Sequence, residues 1–322
     1  MSDEVKKDES EGEGAGEGQG RRISSAQWML AAIIAAFAAG GFVYHWLVFN
    51  GYGHSAALFT GIPAIMAILL ALTPKAKTVT GGILKGITLA LLTIAPLLGE
   101  GYLCILMASP LFFIVGIIVG LIVDKVRARR AATLSCIALV LLPMSLEGVV
   151  PELSFRRLQT VEVSRTVNAS GAAVEDQLAR GIDLSKGLPR PLQIGFPRPL
   201  KATGEGLAIG AYRTIHFDGA EGDPPGDLVM RVTAHQSGFV RFETESDSSK
   251  LTQWIAWKRS DVEWKEIDAT HTMVTWRVQF DRQLDPAWYF APLEHAAVHE
   301  AVVYLIDACA TPSSATPTGA AR

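Results

Sequence analysis

The segment HAAVHE, with His295 and His299 one helical turn apart and Glu300 beside the second, is the most metal-like pattern in the chain. Two imidazoles at that spacing can hold zinc, but a site needs a third ligand, and the order differs from the HExxH of zinc peptidases. At 100° per residue both histidines fall, with Val302 and Ile306, opposite the face that carries Phe290, Leu293, Ala297, Val298, Ala301, Tyr304, Leu305 and Ala308. The expectation is a solvated or membrane-facing outer surface, with Val302 and Ile306 marking contact with membrane spans or a protein partner. Neither a metal nor a cofactor is expected.

The remaining candidates for chemistry are scattered. Arg213, His216, His235 and His271 lie on or beside strand-like runs and could reach a cavity as polar anchors. No Ser-His-Asp order, nucleophile elbow or paired-carboxylate spacing stands out, so nothing in the sequence speaks for catalysis. Cys104, Cys136 and Cys309 stand alone, two of them in apolar runs, and suggest neither a disulfide framework nor a zinc site. A net charge of −3 over 322 residues argues against a nucleic-acid partner, which would need a concentrated excess of Lys and Arg.

The elements that must position these residues belong to two solvents. Only 19% of the chain is charged, against about 25% in ordinary soluble domains, and the deficit is concentrated in residues 27–150. Residues 1–26 hold acid and glycine with almost no apolar side chain and are expected to be disordered. Their GEGAGEG resembles a phosphate loop, but no strand precedes it. Residues 311–322 read as a second disordered tail.

Apolar runs near 27–49, 55–72, 83–98, 102–123 and 132–150 read as five membrane spans of an all-α transmembrane bundle. Pro110 would kink the fourth, and the third is short unless Lys85 snorkels. Arg21 and Arg22, then Lys75 and Lys77, then Lys125, Arg127, Arg129 and Arg130 fall on one side, which makes the N-terminus cytoplasmic and the C-terminal domain extracytoplasmic. The pair Arg156 and Arg157 argues the other way. Glu147 sits near the outer end of span five, and His45 with Tyr44 and Trp46 reads as an interface belt. None of these charges is at mid-bilayer, which disfavours a transport pathway.

From Leu158 the period changes to that of strands. LQTVEVSRTV reads as a first strand, NASGAAVEDQLA as a helix capped by Ser170, and KGLPRPLQIGFPRPLKATGEG as loop with at most one helical turn. LAIGAYRTIHF, GDLVMRVTAH, GFVRFETES, LTQWIAWKR, DVEWKEID and HTMVTWRVQF follow as six strands joined by short turns, pairing antiparallel. In the last strand Thr272, Val274, Trp276, Val278 and Phe280 share one face. A long closing helix follows, with Asp285 as cap and Pro286 at the first helical position. Alanines at its centre and aromatics at its ends imply an elongated cavity against a curved sheet. By alternation its lining is expected to include Tyr212, Arg213, Phe242, Trp276, Trp288, Phe290 and Tyr304.

This order of elements, the opening VEVSRTVNAS and the run VTWRVQFDRQLDPAWYFAPLE entering the last helix resemble the SRPBCC superfamily, the START, polyketide-cyclase and birch-pollen-allergen-like proteins. The resemblance covers residues 158–310 and implies an α+β helix-grip fold whose pocket takes lipids, sterols, polyketides or other apolar ligands. Members often carry Trp in the first helix where this chain has Val174 and Glu175. The expected protein is thus a multi-pass cell-membrane protein whose helix-grip domain binds, senses or transfers a hydrophobic molecule without catalysis, its partners being the bilayer and that ligand. The alternatives are a cyclase- or lyase-like enzyme using the same cavity, or a transport or assembly factor whose domain recognises a protein.

Overall fold

A computed structural model describes residues 24–49, 61–98, 102–126, 147, 154–219 and 224–311. The expected fifth span, apart from Glu147, residues 1–23 and 312–322 of the two tails, and the side chains of Tyr44, His45 and Trp46 lie outside the described residues; the first helix already begins at Ser25, inside the first expected tail.

The first half forms apolar helices α1 (Ser25–Phe49), α2 (Ile62–Leu72), α3 (Val79–Leu98) and α4 (Tyr102–Val126). Among the described residues one stretch, Ile105–Lys125, is long and apolar enough to cross a membrane. Helix α3 begins before the predicted span, because Asp124 at the end of α4 caps it. The Asp124 carboxylate accepts from Val79 N at 3.0 Å, Thr80 N at 3.2 Å and Thr80 Oγ1 at 2.6 Å. A carboxylate there offsets the positive end of the helix dipole. Lys85 Nζ reaches back to Thr73 O at 2.9 Å. Gly120 lets the two helices touch: a Cβ built there would lie 2.6 Å from Thr80 Cα, the close approach that small residues four apart provide between apolar helices. Pro110 lies within α4. Ile34, Ala67 and Ala71 are buried together, whereas Met29, Ile65, Leu69, Ile114 and Leu121 point outward and are exposed.

The second half is one seven-stranded antiparallel sheet in the order β1-β7-β6-β5-β4-β3-β2. Its strands are β1 (Leu158–Val167), β2 (Pro199–Thr203), β3 (Tyr212–Phe217), β4 (Gly226–Gln236), β5 (Phe239–Asp247), β6 (Ile255–Asp268) and β7 (His271–Arg282). Helix α5 (Gly171–Arg180) follows β1, and α6 (Ala287–Cys309) closes the domain. The last strand pairs with the first, Val161 opposite Val278 and Val163 opposite Trp276. This is the helix-grip arrangement: a sheet bent by bulges between Val229 and Met230, Val232 and Ala234, and Trp257 and Arg259, folded over a long helix. Val232, Val240, Val262, Val274, Val278 and Phe280 form the dry inner face.

Ser170 caps α5 as expected, accepting from Ala173 N at 3.3 Å. Three expectations change. Part of the proline-rich loop is strand β2, whose pairing with β3 is a tertiary event; Pro199 stands at its first residue, where a missing N–H costs least. Two predicted strands, LTQWIAWKR and DVEWKEID, merge into β6. The turn-like pair Ser260 and Asp261 is buried there, Asp261 taking Arg241 of the neighbouring strand at 2.7 and 3.1 Å. Asp285 does not cap α6, because Arg157 and Arg282 hold its carboxylate at 2.8 and 2.5 Å; Pro286 occupies the cap position without a side-chain bond.

Candidate functional site

A cavity of about 190 Å³ lies between α6 and the inner face of the sheet. Helix α6 supplies Glu294, Ala297, Val298, Ala301, Tyr304, Leu305 and Cys309, positions three and four apart and so one stripe of a helix. The alanines at 297 and 301 are too short to reach the sheet, which leaves the space. Opposite stand Ile215, Phe217, Leu228, Met230, Phe242 and Trp276, with Trp254 and Trp257 at one side and Leu192 and Phe196 from the proline-rich segment at another. Phe196 meets Trp254 edge to face at 5.3 Å. One wall residue, Met107, comes from helix α4.

Few polar groups interrupt this lining. Arg213 is 9% exposed, and its guanidinium donates to the carbonyls of Leu178 at 3.0 Å, Ala179 at 2.8 Å and Gly206 at 2.9 Å, and to that of Gly204. These are the last carbonyls of α5 and the loop beside it, so the cation closes a helix C-terminus and is already committed. Burial pushes its pKa down. The Cys309 thiol and the Tyr304 phenol are both pushed up to about 12 by burial, so neither ionises at neutral pH. Trp257 Nε1 donates to Ser260 Oγ at 3.1 Å.

Glu294 differs from the rest. It is 3% exposed, and one oxygen accepts from Leu284 N at 3.1 Å while the other has no partner. Burial raises its pKa to about 7, against the lowering effect of the Leu284 and Gln283 amides and of Arg282. The indole Nε1 of Trp276 is also without a partner.

Of the residues expected to line the cavity, Arg213, Phe242, Trp276 and Tyr304 do so, and Tyr212, Trp288 and Phe290 do not. Tyr212 and Arg213 are strand neighbours and must face opposite ways; the arginine is inside and Tyr212 is 48% exposed. Trp288 lies on the outer side of the first turn of α6, 55% exposed. Phe290 is buried before the cavity begins, edge to face with Tyr289 at 4.9 Å. His216, His235 and His271 serve as partners of Asp227, Glu175 and Asp268. His295 and His299 are exposed as expected, and among the described residues no cluster of three or more His, Cys, Asp or Glu is placed to hold a metal.

Val302 and Ile306 are fully buried, a correction to their predicted outer placement: α6 packs against β1 and β7 on that flank as well, so its buried arc is wider than one face. Leu293, expected inside, is exposed. Sequence reasoning missed Glu294 and Met107. The signal for Glu294 was present, since it falls three, four and seven residues before Ala297, Val298 and Ala301. Nothing local marks Met107.

No family model matches the chain, and no curated protein matches it. Solved structures to which it is similar include a START superfamily protein from Mycobacterium smegmatis, 10% identical over 46% of this chain and 92% of that one, TM-score 0.32. A Streptomyces Zhui aromatase/cyclase is 16% identical over 47% and 85%, TM-score 0.29. Norcoclaurine synthase from Thalictrum flavum, in complex with dopamine and hydroxybenzaldehyde, is 14% identical over 45% and 86%, TM-score 0.30.

Proposed function

We propose that this chain is a membrane-anchored, non-catalytic binding protein of the SRPBCC type that binds, senses or hands over a compact hydrophobic or lipid-like molecule. The observation that carries the reading is the apolar cavity between α6 and the sheet, with only a few polar groups in its lining. Ligand sites of this kind are mostly apolar, with sparse polar anchors. At about 190 Å³ it is smaller than the roughly 300–1,000 Å³ of drug-sized sites, so it fits a small molecule or one portion of a longer one.

The anchoring part of the proposal is a multi-pass bundle in the cell membrane. It is supported by the apolar stretch Ile105–Lys125 and by the outward-facing Ile65, Leu69, Ile114 and Leu121. Sidedness has support beyond counting spans. Tyr289 Oη donates to Met107 O at 2.6 Å, so the domain meets the N-terminal end of α4, while Lys125 lies in the last turn at the other end. With the basic end cytoplasmic, the domain is extracytoplasmic. The contrary pair Arg156 and Arg157 loses weight, since Arg157 is engaged with Asp285 and with Arg282 O at 3.2 Å.

The test uses the full chain reconstituted in lipid nanodiscs. Mass spectrometry of wild type should show a co-purified apolar molecule that Ala301→Trp, which fills the cavity, lacks. The same molecules in equal amount from both proteins would refute binding in the cavity. A C-terminal alkaline phosphatase fusion should be active, and an inactive one would reverse the sidedness. Enzymatic use of the cavity is favoured by one observation, the buried carboxyl of Glu294 in its wall, one oxygen of which has no partner and whose pKa burial raises. Turnover of the bound molecule by wild type but not by Glu294→Gln would establish that second reading.

A further inference from the structure

The wall residue Met107 belongs to the helix that is apolar and long enough to cross a membrane. It lies two residues into the stretch Ile105–Lys125, about 3 Å along the helix axis from its start. The cavity wall therefore meets α4 within the first turn of that apolar stretch. Leu106, its neighbour, is 58% exposed, while Met107 packs against the domain core.

The joint between α4 and the domain is chemically specified. Pro110 lacks the N–H that would bond the carbonyl of Leu106, and Ser109 Oγ approaches that carbonyl at 3.4 Å. One residue on, the Met107 carbonyl takes the Tyr289 hydroxyl at 2.6 Å. Beside Tyr289, Trp288 is 55% exposed. Tryptophan and tyrosine at the end of an apolar span are characteristic of the headgroup layer.

We propose that the cavity is loaded sideways, from the leaflet on the domain's side, by an acyl chain or similar apolar part of a membrane-resident lipid that passes Met107. This rests on the binding reading above and adds the source of the ligand and the residue at its entrance. The small cavity suits it, because a lipid needs to place only part of one chain between the alanines of α6 and the sheet while the rest stays in the leaflet. No passage through water is then required.

The test uses the full chain in proteoliposomes that contain phosphatidylcholine with a diazirine on one acyl chain. After illumination, the peptide carrying Ala297 and Ala301 should be labelled, and Met107→Trp should reduce that label at least five-fold while leaving the label on lipid-facing Ile114 and Leu121 unchanged. Unreduced labelling in Met107→Trp would overturn the entrance. Met107→Leu, which keeps the apolar volume, should label like wild type; an equal loss there would mean damage at the joint and would also overturn it. If the peptide is labelled only by a short-chain diazirine fatty acid added from water, the leaflet route fails and the binding reading stands. If neither probe labels it, the binding reading itself fails.

Discussion

Arg282 and Glu147 are 135 positions apart, and their side chains meet at 3.1 Å, both buried. The guanidinium also donates to Phe155 O at 3.0 Å, Leu284 O at 2.8 Å and Asp285 Oδ1 at 2.5 Å. The end of the apolar half is thereby tied to the strand that leads into α6. Leu284, one of the acceptors, donates its own N–H to Glu294 in the cavity wall, so the tie reaches the candidate site through a single residue.

Arg282→Leu should destabilise the full chain by about 3–5 kcal/mol, because it leaves the buried Glu147 carboxylate without its cation. Adding Glu147→Leu should recover part of the loss. Denaturant melts in detergent measure both, and a cost below about 1 kcal/mol would show that Glu147 is not docked on the domain.

Glu294 predicts a pH dependence. Its folded pKa of about 7 stands above the ordinary glutamate value of 4.5. The folded form therefore keeps a proton that the unfolded chain gives up, and stability falls as pH rises from 4.5 to 7. Glu294→Gln removes this slope. Relative to the variant, wild type should lose on the order of 3 kcal/mol between pH 4.5 and 8, read from melts at the two pH values. Parallel profiles would mean that burial does not raise the carboxyl's pKa.

Gly120→Ala should separate α3 from α4, since the new methyl meets the Thr80 backbone and would strain the Asp124 cap. A cost of about 1–3 kcal/mol is expected. Gly86→Ala, with nothing within 4 Å of the added Cβ, is the control and should melt at or slightly above wild type, since alanine favours a helix interior over glycine. Equal melting of both variants would deny the close contact.

Arg213→Met should cost more than about 3 kcal/mol, because it strips donors from the carbonyls of Leu178, Ala179, Gly204 and Gly206 together. Loss of apolar binding with unchanged stability would instead make Arg213 a ligand anchor.

Much of the domain was legible because strand and helix periods are local. Alternation in HTMVTWRVQF gave the buried face of β7 residue by residue. The strand count survived two opposite errors, since β2 was missed and β6 was split. Both errors arose where pairing with a neighbour overrode composition: β2 exists through β3, and Asp261 stays in a strand because Arg241 neutralises it. The lining residues were harder to read, because alternation says that Tyr212 and Arg213 differ in facing but not which one faces in.

The sequence by itself determined an apolar first half and a strand-rich second half closed by a long helix, since composition and periodicity are properties of consecutive residues. Only the tertiary structure decided that Arg213 is consumed by backbone carbonyls, that Val302 and Ile306 are buried, and that Glu294 and Met107 reach one cavity. Those facts depend on which surfaces meet. A buried charge takes its partner from whatever the fold brings within hydrogen-bonding distance, here as far as 135 residues along the chain.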